Sequence, residues 1–147
     1  MFSKILVPTD GSKLSQKAVQ QALLLAQMTG AHLVALHVYP KFVSTPFGTD
    51  ELAEQVLADI HVTQHEAGAG KIFATINDLA KAAGVALDTM LVQSDDIYKQ
   101  IIAVAKQTKC DLIRMASHGR RGVAGILLGS ETQKVLTHSK IAVLVVR

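Results

Sequence analysis

Apolar residues occur in two kinds of run along this chain, and the two alternate. Short continuous runs fall at residues 5–7, 32–39, 85–92, 112–115 and 141–146. Runs of that length with little polar alternation predict strands covered on both faces. Between them the apolar positions follow helical spacing. Leu14, Ala18, Ala22, Leu25 and Ala26 form one stripe, Val19 and Leu23 widen it, and Gly30 supplies the stop. A loop over residues 41–49, holding Pro46 and Gly48, leads into a long helical stretch from near Asp50 to Gly84. Gly68 and Gly70 interrupt it at about 1 kcal/mol each relative to Ala, which predicts a kink or break there. Further helices are predicted at residues 95–108 and about 131–138.

The order is strand, helix, strand throughout, ending on a fifth strand. Crossovers between parallel neighbours are right-handed, so strict alternation predicts an α/β fold with a doubly wound open parallel five-stranded sheet, order 3-2-1-4-5, and helices on both faces. No repeat, low-complexity tract or linker divides the 147 residues, and one domain over 1–147 is expected.

Composition narrows the function classes. With 49% hydrophobic and 18% charged residues and a mean hydropathy of +0.29, the chain is globular rather than disordered. Only 4% is aromatic and there is no Trp, which disfavours modules that stack bases on rings. The single cysteine, Cys110, lies in no zinc-type spacing and is read as an inert thiol ahead of a buried strand. The N-terminus is apolar only at residues 5–7, so neither export nor membrane insertion is expected and the cytoplasm is the predicted compartment.

The net charge of +3 is unevenly placed. Residues 1–108 hold 8 Lys/Arg against 10 Asp/Glu, whereas residues 109–147 hold 7 against 2. A surplus confined to the last quarter fits a local anionic partner such as phosphate. No helix gathers Lys/Arg on one face, so nucleic-acid binding is not expected.

Ligands of doubly wound folds sit beyond the carboxyl ends of strands. After the first strand comes Pro8-Thr9-Asp10-Gly11-Ser12, and after the fourth comes a stretch from Ala116 to Ser130 with four of the ten glycines and the adjacent Arg120 and Arg121. Glycines ahead of a helix N-terminus suit phosphate binding, and equally suit tight turns. The stretch is neither a Walker A sequence nor a Rossmann fingerprint. Asp10 and Ser12 have alternative roles as turn or helix-capping residues. Arg120 and Arg121 fit electrostatic steering or a solvated loop equally. Arg114, inside the fourth strand, needs either a carboxylate, Asp10 or an acid on a helix face, or a route to solvent. His61 and His65 have a metal-compatible spacing without a third ligand and are read as surface histidines.

The N-terminal KILVPTDGS, the late SHG followed by nine residues and GS, and the closing VLVV resemble the universal stress protein family, from end to end. The resemblance implies an ATP-binding regulatory module of the stress response. ATP-binding members carry Gly, two residues, Gly, nine residues, Gly and Ser/Thr, and Ala116, Gly119, Gly129 and Ser130 occupy that spacing, with Ala for the first Gly. By resemblance, Asp10 would hold the ribose, Val38 with Pro8 and Thr9 would flank adenine, and Gly119, Gly129 and Ser130 would contact phosphates. Met115, Ala116, His118, Glu131 and Thr132 complete the implied set around ATP, alone or with Mg2+, and no residue is assigned a catalytic role. A nucleotide-free interaction module, with Ala116 marking a lost site, and a slow ATPase are the alternatives. The apolar run at 141–146 would be a sheet edge open to pairing, and the resemblance also implies a homodimer through it.

Overall fold

The structure, a computed structural model, describes residues 1–44, 50–120, 122, 125 and 127–147. Arg121 and part of the 41–49 loop, including Pro46 and Gly48, lie outside the described residues. The strands are β1 (Lys4–Pro8), β2 (His32–Tyr39), β3 (Leu87–Gln93), β4 (Leu112–Ala116) and β5 (Ala142–Val146). They alternate with α1 (Lys13–Thr29), α2 (Glu51–Ala83), α3 (Ile97–Gln107) and α4 (Ser130–His138). Every neighbouring pair is parallel and the order is β3-β2-β1-β4-β5, the predicted doubly wound sheet.

The side-chain period of a strand divides the apolar runs between two layers. Ile5, Val7, Leu33 and Ala35 face Val19, Ala22 and Ala26 of α1 and Ile76 and Ala80 of α2. Leu6, Val34, Leu36 and Ile113 face Ile101, Val104 and Ala105 of α3 and Val135 of α4. Burial on both faces is why the runs are continuous rather than alternating. Each fully buried Ile or Leu contributes about 1.5–3 kcal/mol, which makes the central strand β1 the firmest support for any site at its carboxyl end.

Helix ends follow local chemistry. The Ser12 hydroxyl accepts the Ser15 N–H at 3.3 Å to cap α1, and the Asp50 carboxylate accepts the Ala53 N–H at 2.7 Å to cap α2. Gly30 and Gly84 end those helices in the left-handed region, at φ 72° and 66°.

Two expectations are corrected. The predicted break in α2 is absent: the helix runs unbroken through Gly68 and Gly70. A Cβ at either glycine would meet nothing within 4 Å, and helix on both sides supplies the cooperativity that offsets their conformational cost. The partner of Arg114 is not a carboxylate. Its Nη2 donates to Oε1 of Gln21 on α1, and among the described residues its buried Nε has no hydrogen-bond partner. Asp10 is engaged elsewhere, so an amide takes the place expected for an acid, and burial lowers the Arg114 pKa from its ordinary value.

Candidate functional site

From β1 the chain winds toward β2 and β3, and from β4 it winds toward β5, so the carboxyl ends of β1 and β4 meet where the winding reverses. That crevice is the usual ligand position in open parallel sheets. Its rim is the turn after β1 and the glycine-rich loop after β4.

Asp10 joins the two. Its Oδ1 accepts the Ser12 N–H at 2.9 Å, closing an Asx turn, and its Oδ2 accepts the Arg120 N–H at 2.8 Å. Burial pushes its carboxyl pKa up, but hydrogen bonds from Ser12, from the Arg120 backbone and from Ser15 outweigh burial and hold it below the ordinary value. Each carboxylate oxygen has a second lone pair, so both can still accept from a ligand hydroxyl.

Thr9 is buried and fully engaged. Its N–H donates to the Leu36 carbonyl at 2.8 Å, its hydroxyl meets Ser15 Oγ at 3.1 Å and accepts the Gly11 N–H at 3.2 Å, and its carbonyl lies 2.7 Å from His37 Nδ1. Gly11, at φ +78°, makes the turn sharp enough to place Asp10 over the β4 loop.

The glycines of the second loop have steric reasons. A Cβ on Gly119 would sit 2.5 Å from Asp10 Oδ2, and one on Gly129 would lie 3.2 Å from both the His118 Cα and the Ser117 carbonyl oxygen. The loop's two ends are tied together, Gly129 N–H donating to the Ser117 carbonyl at 2.6 Å and the buried Thr132 hydroxyl to the Ala116 carbonyl at 2.9 Å. These bonds bring the start of α4 beside the end of β4. Gly129 is the N-cap of α4, so the first N–H groups of the helix, with their partial positive charge, open toward the crevice rim.

The candidate residues therefore cluster at this end of the sheet in different roles. Pro8 closes β1 and Ser130 begins α4. Val38 and Met115 belong to the core layer under α3 and α4, Met115 buried and Val38 partly so. Ala116 ends β4 with its side chain against Ala18 and Val146. Its backbone is extended, so the position needs no left-handed conformation and the methyl is accommodated by small neighbours. His118 Nδ1 lies 3.2 Å from Ser117 Oγ. Glu131 turns away: its Oε2 accepts the Tyr98 N–H at 2.9 Å at the start of α3, and its Oε1 pairs with Lys134 at 3.0 Å.

Sequence reading missed two participants: His37 fixes the Thr9 carbonyl and Ser15 supports Thr9. Arg120, read from its charge, acts through its backbone N–H. The pairing of Arg114 with Gln21 was missed as well, because Gln21 lies outside the apolar stripe of α1 and no local pattern marks it. His61 and His65 are also not free surface groups. Their rings lie 4.5 Å apart, His65 stacks on Tyr39 at 4.9 Å, and His61 Nε2 lies 2.8 Å from the Pro40 carbonyl oxygen. Among the described residues no group of three His, Cys, Asp or Glu is arranged to hold a metal ion. Cys110 is buried with its thiol pKa raised by burial, as an inert thiol should be.

Fold and site together define a doubly wound α/β protein with a polar, glycine-lined crevice at the switch point of its sheet. Residues 1–147 match the model of the universal stress protein family, and the chain belongs to that family. It is 33% identical to the universal stress protein YxiE of Bacillus subtilis over 150 residues, covering all of both chains. A universal stress protein of Methanocaldococcus jannaschii is 31% identical over 150 residues, covering all of this chain and 83% of the relative. The solved structure of a universal stress protein in complex with cAMP superposes with a TM-score of 0.71 at 27% identity, covering 99% of this chain and 97% of the other.

Proposed function

We propose that this protein is an adenine-nucleotide-binding regulatory module of the stress response. ATP, alone or with Mg2+, would bind at the β1/β4 crevice, and the protein would act as a cytoplasmic homodimer. The observation that carries the reading is the joining of Asp10 to the glycine loop at the switch point, with the α4 N-terminus beside it. The related structure holding cAMP supports an adenine nucleotide as the ligand class.

The residues fit such a group. Asp10 has acceptor capacity for ribose hydroxyls, Gly119 and Gly129 let the loop backbone lie close to Asp10 and to the start of α4, whose first N–H groups would face phosphate oxygens, and Ser130 adds a hydroxyl. Pro8 and Val38 would supply aliphatic surface for a base, with Met115 buried behind them. A bound Mg2+ would supply charge neutralisation of the phosphates. Within the chain, Asp10 holds the two rim loops together, and Gly11 and Gly119 let them approach. Its lowered pKa makes it a poor general base at neutral pH, which favours binding over hydrolysis.

Mass spectrometry of a heat extract of the purified protein, followed by calorimetric titration with ATP, tests the ligand. A copurifying adenine nucleotide, and an affinity weakened at least about tenfold by Asp10→Ala, are expected. Absence of both assigns the protein to the nucleotide-free interaction class.

β5 is an edge of the sheet, and Leu144 on it is 42% exposed. Pairing of β5 with a second copy would cover that edge. Sedimentation at micromolar concentration should give a dimer that Leu144→Glu dissociates; a monomer in the parent protein would remove the dimer from the reading.

A further inference from the structure

We propose that the N-terminal half of α2 is a docking surface for a cationic amphipathic segment of a partner protein. This inference stands apart from nucleotide binding. At 33 residues α2 is about 50 Å long, against about 26 Å for the 8-residue strand β2 beneath it, so the helix outruns the sheet. Its buried residues, Ala69, Ile76 and Ala80, all lie in the C-terminal half. The N-terminal half meets the rest of the molecule through His61 and His65, against Tyr39 and Pro40, and its opposite face is bare.

That face is apolar where a solvated helix would be polar. Leu52, Val56 and Ile60, spaced i, i+4 and i+8, are 76%, 51% and 46% exposed. Val56 and Ile60 line a shallow groove with Asp59, Thr63 and Gln64. Apolar residues repeated on one exposed helix face mark an interaction surface rather than random exposure.

Charge selects the occupant. Asp59 lines the groove itself, Glu51 and Glu66 lie toward its two ends, and no Lys or Arg occurs from Asp50 to Gly70. Asp59 accepts the Gln55 amide, so its carboxylate is held in place on this face. A second copy laid along the stripe would set carboxylates against carboxylates, and an anionic membrane surface would be repelled in the same way. A helix carrying Leu-type residues at i, i+3, i+4 and i+7 between Lys or Arg satisfies both the stripe and its rim. β5 lies at the opposite edge of the sheet from β3, so pairing through β5 leaves this surface open.

The test uses the full chain and fluorescence anisotropy of a labelled peptide of about 18 residues, about five helical turns of Leu and Lys with Leu at the i, i+3, i+4, i+7 positions. One control has the same composition reordered to remove the apolar face, and a second has Glu for Lys. The ordered Leu/Lys peptide should bind at least about tenfold more tightly than either control. The paired substitutions Val56→Ser with Ile60→Ser, and separately Glu51→Gln with Asp59→Asn, should each weaken it about tenfold. All four positions are exposed, and unchanged circular dichroism melts will verify the fold. Equal binding of the reordered peptide, no binding, or binding untouched by either pair overturns the proposal. So does sedimentation in which the Val56→Ser, Ile60→Ser protein loses a dimer that the parent forms, because a second copy would then cover the stripe.

Discussion

Gly119→Ala gives the most direct reading of how the two loops of the crevice are joined. An alanine Cβ would stand 2.5 Å from Asp10 Oδ2 and 3.6 Å from its Cγ. The carboxylate must therefore move, and the atom that moves is the one accepting the Arg120 N–H at 2.8 Å. A hydrogen bond to a charged group contributes about 1.5–3 kcal/mol net. This one is solvent-accessible, so about 1–2 kcal/mol is the expected loss. With a urea slope of about 2 kcal/mol per molar, the unfolding midpoint should fall by about 0.5–1 M. The assay is a double-mutant cycle with Asp10→Ala, which removes both the clash and the acceptor. In that background Gly119→Ala should cost under about 0.5 kcal/mol, giving a coupling of about 1 kcal/mol. Equal costs in the two backgrounds would refute the argument, since the penalty would then arise from the loop backbone and not from Asp10.

Four further outcomes follow from particular contacts. Gln21→Leu should destabilise by about 1–3 kcal/mol because it strands the Arg114 guanidinium, whereas Arg114→Met should be nearly neutral; thermal melts of the two variants check the order. Thr132→Val should cost about 1–2 kcal/mol in urea unfolding by leaving the Ala116 carbonyl without the buried hydroxyl. His65 has its pKa lowered by burial and then by His61 and His37, so the folded state resists its protonation. Stability linked to His65 is accordingly full above its ordinary value of 6.5 and falls as pH drops through that value, and His65→Gln should flatten the slope of urea stability between about pH 7 and 5. Asp10 has the same sign at lower pH: its contribution is present above its ordinary value of 3.8 and is lost as pH falls below it, so Asp10→Asn should show a shallower acid limb in a circular dichroism titration.

The sheet was legible because burial on both faces leaves a continuous apolar run, and Gly30 and Gly84 read correctly as stops because only a left-handed residue closes those helices so tightly. The crevice was legible in outline, since Asp10 and Gly119 occur beyond strands where such folds hold ligands. Gly68 and Gly70 misled because propensity is a weak local term beside the cooperativity of a long helix. Glu131 is at the predicted place in the chain, but its carboxylate serves the start of α3, a contact across 33 positions that no local pattern encodes.

The sequence by itself determined the order of elements, the family, the two loops that meet and the concentration of positive charge near the second, because periodicity, turn residues and charge are local properties of the chain. Tertiary structure decided which groups touch. Only the parallel placement of β1 beside β4 brings Asp10 to the Arg120 N–H, and only the packing of α1 on the sheet sets Gln21 opposite Arg114. Those pairings depend on distance in space between residues far apart along the chain.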